Sequence, residues 1–226
     1  MCSKRHLMNC YLCKNACIKK GYKNRIQTYY CKGCQKYQRA TSSYKMLRKE
    51  KLPWLIELNN EGCGIRSMSR LLKIPPSSVI RYLKQLAAII PRFDVKESNQ
   101  AYEIDELQTY IGKNTPSNYI WIAYAINRRT RQVIDFVVGK RTKENLKMLT
   151  DKISALHPRY IYTDGLNIYR SLIDKGVHKV QSFKINYIER KNLTLRTHLK
   201  RLNRKTICFS RSIAMLQACL MIYFFG

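Results

Sequence analysis

Two Cys-x-x-Cys pairs near the amino end, Cys10-Tyr-Leu-Cys13 and Cys31-Lys-Gly-Cys34, restrict the fold more than any other feature of this chain. Each pair turns tightly enough to aim two thiolates at one ion, and two such knuckles complete a tetrahedron. The 17 residues between the pairs fall within the zinc-ribbon range. Ile26 to Tyr30 alternates like a short strand leading into the second knuckle. A segment this small has little core, so metal binding supplies much of its folding free energy, on the order of 10 kcal/mol. Cys10, Cys13, Cys31 and Cys34 are thus the expected Zn²⁺ ligands of a ribbon over residues 1–51. Cys17 is a fifth candidate, and Cys2 and His6 are weaker ones.

Residues 1–9 are basic and no apolar stretch comes after them, so no export signal is visible. The longest apolar run, Ala218 to Phe225, is far shorter than the ~20 residues of a membrane span and predicts a buried terminal helix. The chain stops at Gly226 inside this run, which predicts a truncated or altered carboxyl end. Thiols paired for metal, without an export signal, fit a reducing cytoplasm.

Lys and Arg total 43 against 14 Asp and Glu, a formal charge of +29 that runs through the whole chain. Such a charge repels itself in a compact domain unless a polyanion is present. Nucleic acid is the expected partner, held through phosphate neutralisation and counterion release. Composition also leaves open a ribosome-associated protein or one bound to anionic lipid. Hydrophobic residues make up 45% of the 226, enough for a packed core.

Residues 52–92 have the pattern of a helix-turn-helix. Leu52 to Asn60 predicts a first helix, stopped by Gly62 and Gly64, and Ile65, Met68, Leu71 and Leu72 give a second its apolar face. Lys73-Ile-Pro-Pro76 breaks the helix. Ser77 or Ser78 is placed to cap the next one, in which Val79, Ile80, Leu83 and Leu86 face inward. Arg81, Tyr82, Lys84 and Gln85 remain outside, where a major groove would meet them.

After a polar linker over 93–100 the pattern changes to strands. Candidates are Tyr102–Ile111, Tyr119–Ile126 and Gln132–Val138, the last two joined by a hairpin turn. Next come a helix over Thr142–Leu156, a buried strand over Arg159–Thr163, a helix over Asn167–Asp174 and a short basic strand around Val177–Val180. This order predicts an α/β domain with a mixed sheet over residues 101–226.

In so acid-poor a chain, each carboxylate is informative. Asp105 lies within a strand rich in Tyr, Ile and Leu, and Asp164 sits where a buried strand ends and glycine lets the backbone turn. Glu189 opens a basic amphipathic segment, Ile188 to Arg204, whose inner face is Ile188, Leu195, Leu199 and Leu202. Glu189, Asn192, Leu193 and Arg196 share an adjoining face. Three gathered carboxylates would repel one another unless divalent cations were present, and two hard cations on oxygen ligands suit phosphoryl transfer. Taken one at a time, a salt-bridge partner, a turn residue and a helix-start charge explain these acids equally well. Glu103, Glu106 and Asp135 compete as decoys, and strand alternation sends Asp105 and Glu106 to opposite faces.

Glu103-Ile-Asp105-Glu106, Tyr162-Thr-Asp164-Gly165 and Ile188-Glu-Arg-Lys-Asn192-Leu-Thr-Leu-Arg196, with 24 residues between Asp164 and Glu189, resemble the signature blocks of the insertion-sequence-one family of bacterial transposases. The stretch Thr197 to Arg211 resembles the segment after that family's glutamate, and the ribbon and helix-turn-helix match its amino-terminal layout. The resemblance implies an RNase H-like catalytic domain with Asp105, Asp164 and Glu189 as a triad holding Mg²⁺ or Mn²⁺. It further implies Asn192 and Arg196 as motif positions that orient the glutamate or contact a phosphate. Lys200, Arg201, Arg204 and Lys205 continue a basic face able to track DNA backbone, or simply to be solvated. The resemblance therefore implies a DNA transposase acting on double-stranded terminal inverted repeats and target DNA, as at least a homodimer, near the bacterial nucleoid. The rival classes are a ribbon-bearing transcriptional repressor without catalysis and an RNase H-type nuclease.

Overall fold

The computed structural model describes residues 8–23, 25–39, 52–92, 98–180 and 186–226. Cys2 and His6 lie outside them. The chain forms two compact units, Met1–Leu47 and Arg48–Gly226.

The first unit is an antiparallel sheet of β1 (Ile18–Lys23), β2 (Ile26–Cys31) and β3 (Lys36–Arg39). Its only apolar centre among the described residues is Cys10, Cys17, Tyr29 and Cys31, with Met8 and Cys34 against them. So small a core cannot hold three strands together by area alone.

The second unit begins with α1 (Leu52–Asn60), α2 (Ile65–Leu72) and α3 (Pro76–Ile89). α2 ends where Lys73 adopts a left-handed conformation (φ 55°) and returns its N–H to the helix. α3 starts at Pro76 on an extended Pro75, with no side-chain cap. The expected serine cap is therefore not made: proline in the first turn presets the helical φ, leaving Ser77 and Ser78 inside that turn. Val79, Leu83 and Leu86 are buried as expected, whereas Ile80 and Leu71 stand exposed at 36% and 62%. The buried stripe is narrower than the apolar pattern because both helices pack one face inward and leave the flank open.

A five-stranded mixed sheet comes next, ordered β6-β5-β4-β7-β8. β4 (Ala101–Tyr110), β5 (Tyr119–Asn127) and β6 (Val133–Gly139) are antiparallel, while β7 (Tyr160–Thr163) and β8 (His178–Val180) run parallel to β4. On one face, α4 (Lys143–Ser154) and α5 (Asn167–Arg170) bury Leu146, Leu149, Ile153 and Tyr169 against Tyr102, Ile104 and Ala125. α5 is shorter than the expected Asn167–Asp174. On the other face, α6 (Asn186–His198) and α7 (Ile213–Phe225) bury Ile188, Leu195, Leu216 and Leu220 against Leu107, Ile122, Tyr124 and Phe136. The mixed α/β sheet with helices on both faces is the RNase H-like architecture expected.

α7 is apolar all round because it is covered on two sides, by the sheet and by α1 and α3. The buried Asn59 of α1 donates its Nδ2 to the Cys219 carbonyl of α7 at 3.0 Å. The helix-turn-helix segment thus shares a compact unit with the sheet. Among the described residues no helix is long and apolar enough to cross a membrane.

Gly62 closes the turn after α1 at φ +69°, and a Cβ there would run into the His198 carbonyl at the end of α6. Both conformation and space require glycine. Gly62→Ala is expected to cost more than about 2 kcal/mol, read as a lowered urea midpoint; an unchanged midpoint would show that this turn yields freely.

Candidate functional site

β4 is the strand at which the sheet changes from antiparallel to parallel pairing, and its partnership with β7 covers only Ala101 to Glu103. Beyond Thr163 β7 is finished, and a notch opens past its carboxyl end alongside the middle of β4; the carboxyl end of a strand is a usual place for ligands in open sheets. Asp105 and Glu106 lie on β4 along this notch, and Asp164 is the first residue after β7. Ligand oxygens of these three carboxylates lie within 4.8 Å of one another. Alternation does send the two β4 side chains to opposite faces: Asp105 is held from α6, Glu106 from α5 and the loop before α4. Both nonetheless reach the same point, because no strand stands between them at this edge. Glu106, expected as a decoy, is part of the cluster.

Each acid is fixed by a separate element. Asp105 Oδ1 accepts the Glu106 N–H at 2.7 Å, and its Oδ2 accepts Asn192 Nδ2 at 2.6 Å. Asn192 Oδ1 lies 2.8 Å from the Tyr124 hydroxyl, which also stands 3.2 Å from the Ile188 carbonyl. Asp164 Oδ1 accepts the Leu166 N–H at 3.0 Å in a tight turn before α5. Glu106 accepts the buried Tyr169 hydroxyl on one oxygen and the Arg141 guanidinium at 2.7 Å on the other. Sequence reasoning missed Tyr124, Tyr169 and Arg141; nothing local marks them, since their partners are distant in the chain.

α6 is seated by Glu103. Its fully buried carboxylate accepts the Ile188 N–H at 2.9 Å in the first turn of α6 and pairs with Arg128 at 2.8 Å. A negative charge at a helix start is favourable there. Burial nevertheless pushes the Glu103 pKa up, against the opposing Ile188 N–H and Arg128. Asp135, the other decoy, is buried and paired with Arg92 and Lys152.

Glu189 lies on α6 three residues before Asn192, exposed to solvent and outside the 4.8 Å group. Asn192 holds Asp105 rather than orienting Glu189. Arg196 donates to the Leu202 carbonyl at 2.8 Å and the Gln108 carbonyl at 3.2 Å, tying α6 to β4. It also lines a groove of about 420 Å³ with Glu106, Tyr110, Asn114, Asn203 and Arg204. Lys200 is exposed. Arg201 is not on a basic face as expected: it is 8% exposed and donates to Ser210 Oγ at 3.1 Å, because the short 3₁₀ turn at 200–202 rotates it inward. On α3, Arg81 and Lys84 are exposed, with Arg81 over the Tyr82 ring at 5.1 Å.

The Asp105 carboxyl is pushed up to about 6, chiefly by burial and further by Glu106 and Asp164, against the Glu106 N–H and Asn192. The folded chain then binds more protons than the unfolded chain between the ordinary value of 3.8 and about 6. Stability therefore falls as pH rises through that window. Without divalent metal, Asp105→Asn is expected to raise the melting temperature at pH 7.5, the gain vanishing by about pH 4. A gain equal at both pH values would point to some cause other than this charge.

A second cluster lies in the amino-terminal unit. The Sγ atoms of Cys10, Cys13, Cys31 and Cys34 all fall within 4.8 Å, with Cys10–Cys34 at 3.8 Å and Cys13–Cys31 at 3.4 Å. A tetrahedron with metal–sulfur bonds of ~2.3 Å has edges of roughly 3.8 Å, so the donor set fits one such ion. Backbone N–H groups of Leu12 and Cys34 point at Cys10 and Cys31 sulfur at 3.4 Å, and Gln38 Nε2 at Cys10 at 2.7 Å. The Cys13 N–H first, with the Leu12 N–H, Gln38 and the Cys13 thiol, brings the Cys10 thiol down to about 6 against the opposing effect of burial. Cys17 is buried behind Cys10 and Cys31, outside the group, and burial raises its pKa.

Fold and site together define a class: a mixed-sheet α/β domain with carboxylates converging where β7 ends along β4, preceded in the chain by a four-cysteine module. The sequence model of the IS1 transposase family matches residues 100–224. The chain belongs to that family. It is 36% identical over 111 residues to the insertion element iso-IS1n protein InsB of Shigella dysenteriae, covering 49% of this chain and 83% of that protein. To the IS1 protein InsB of Shigella flexneri it is 37% identical over 113 residues, covering 50% and 85%. To the IS1 2 protein InsB of Escherichia coli K12 it is 34% identical over 139 residues, covering 62% and 80%. A chain of the simian T-cell lymphotropic virus intasome structure superposes with a TM-score of 0.37 at 14% identity, over 76% of this chain and 65% of that one.

Proposed function

We propose that this protein is a DNA transposase that binds the terminal inverted repeats of its element, cleaves the DNA ends and joins them to target DNA. The reading rests on one observation: Asp105, Glu106 and Asp164 meet where β7 ends beside the middle of β4, inside the segment that matches the IS1 transposase family. Three oxygen-bearing groups at such separation fit a hard divalent cation, Mg²⁺ or Mn²⁺. When bound, the metal activates a water or 3′-hydroxyl nucleophile and stabilises the leaving oxygen.

The chain supplies position. Asp105 and Asp164, with Glu106 beside them, would hold the metal, and Glu189, exposed on the helix that also carries Asn192, is the third catalytic carboxylate that the family resemblance implies. Asn192 fixes the orientation of Asp105, and Tyr124 fixes Asn192. Arg196 and Lys200 lie along the side from which DNA backbone approaches, and Arg81 and Lys84 on α3 meet a major groove. Zn²⁺ on Cys10, Cys13, Cys31 and Cys34 folds the amino-terminal unit. The functional segments are 1–51, 52–92, 93–100 and 101–226. Two DNA ends handled together call for at least a homodimer, working in the bacterial cytoplasm at the nucleoid.

The test is a strand-transfer assay with pre-nicked terminal repeats and a target duplex. Joined products with Mg²⁺ and none with chelator are expected. Free cleavage products without joining would favour a nuclease, and binding with no metal-dependent product would favour a repressor.

A further inference from the structure

The acidic notch already contains a cation. Arg141 Nη2 and Nε stand 2.7 and 3.1 Å from Glu106 Oε2, and Nη2 is 3.9 Å from Asp164 Oδ2. The Glu106 side chain is 1% exposed, those of Arg141 and Asp164 35% each. The backbone that presents Arg141 is tightly held. Asn145 Nδ2 donates to the Lys140 carbonyl at 2.8 Å, the Thr142 N–H to the same carbonyl at 2.9 Å, and Thr142 caps α4. Rotation of the side chain, not movement of the loop, is therefore the freedom available to Arg141.

We infer that Arg141 is the resident counter-ion of the acidic cluster, which divalent metal displaces. This role rests on the metal-dependent reading of the same site. A guanidinium between Glu106 and Asp164 offsets the mutual repulsion that three gathered carboxylates would otherwise suffer. A metal ion taking the same oxygens displaces it from them, because the two cations compete for the same lone pairs and repel each other at that spacing. Once expelled, the fork remains tethered by its backbone at the rim of the notch. There its planar donors match the non-bridging oxygens of a phosphate. Arg141 is thus a positioning residue with two alternating partners: carboxylate before metal loads, DNA phosphate after.

The experiment titrates Mn²⁺ into full-length, zinc-loaded protein without DNA, by calorimetry, for wild type, Arg141→Gln, Arg141→Lys and Asp105→Asn. Arg141→Gln is expected to bind Mn²⁺ roughly tenfold tighter or more, because the competing charge is gone. Arg141→Lys, which keeps the charge, should stay near wild type. In wild type, Mg²⁺ is expected to shift the Arg141 Nε–H resonance from its hydrogen-bonded position, a readout that needs no variant to fold. Arg141→Gln affinity equal to wild type, or a resonance that ignores saturating Mg²⁺, overturns the inference while Asp105→Asn still abolishes binding. If wild type and Asp105→Asn bind Mn²⁺ alike, the metal-dependent reading itself fails, a different result.

Discussion

Asp164→Asn is expected to abolish joined products in the strand-transfer assay, by at least ~10³-fold, while the protein stays folded and still binds terminal-repeat DNA. The size reflects what the substitution removes. Metal-assisted phosphoryl transfer depends on full negative charge at the ligand oxygens, and an amide offers none. Each tenfold in rate corresponds to about 1.4 kcal/mol of lost transition-state stabilisation. The fold has little reason to object. Asp164 uses Oδ1 to accept the Leu166 N–H, and an asparagine amide oxygen accepts the same bond. The side chain is partly exposed, so no buried charge is left unpaired. Binding measured by fluorescence anisotropy should therefore match wild type at equal salt. Joined products at wild-type rates from this variant would remove Asp164 from catalysis and, with it, the main support for a transposase mechanism.

The second large effect concerns the four thiols. Chelation of zinc, or Cys31→Ser, is expected to unfold the amino-terminal unit outright, a loss on the order of 10 kcal/mol. Among the described residues the three strands bury almost nothing apolar besides the cysteines themselves, Tyr29 and Met8. Without metal the four sulfurs also oppose one another: the Cys34 thiol is pushed up to about 12, first by the Cys13 thiol, then by burial and the remaining cysteines. Loss of dispersed amide resonances from residues 8–39 is the readout. The unit from Arg48 onward, whose core is the sheet and its helices, should keep its melting temperature. Cys17→Ser, by contrast, should leave zinc stoichiometry at one, because Cys17 lies outside the group of four. A chelated protein with an intact ribbon spectrum would show that the cysteines are merely buried.

Much of this could be read along the chain, for a physical reason. Knuckle spacing, helix periodicity and strand alternation are local, and local geometry enforces them wherever the segment ends up. Hence α1 runs from Leu52 to Asn60 as its pattern required, and β4 to β8 keep their expected order. The apolar run at the carboxyl end is the buried α7. Asp105 and Asp164 stood out because acids are few.

The features that the sequence could not determine depend on where strands stop and on partners far away. The third carboxylate in the notch is Glu106, 63 residues from the Tyr169 hydroxyl that holds it and 35 from Arg141. Alternation excluded it, correctly for the direction its side chain leaves the strand, wrongly for where the carboxylate arrives. Only the early end of β7 allows two faces of one strand to meet. Asn192 likewise bonds Asp105 across 87 residues, a pairing that no helical wheel contains. Arg201 shows the same limit in reverse: its charge suggested solvent, and a 3₁₀ turn placed it against Ser210. Sequence settles which residues share a face, because backbone periodicity alone decides that. Tertiary packing decides which faces meet, because that depends on strand ends and crossovers many residues apart.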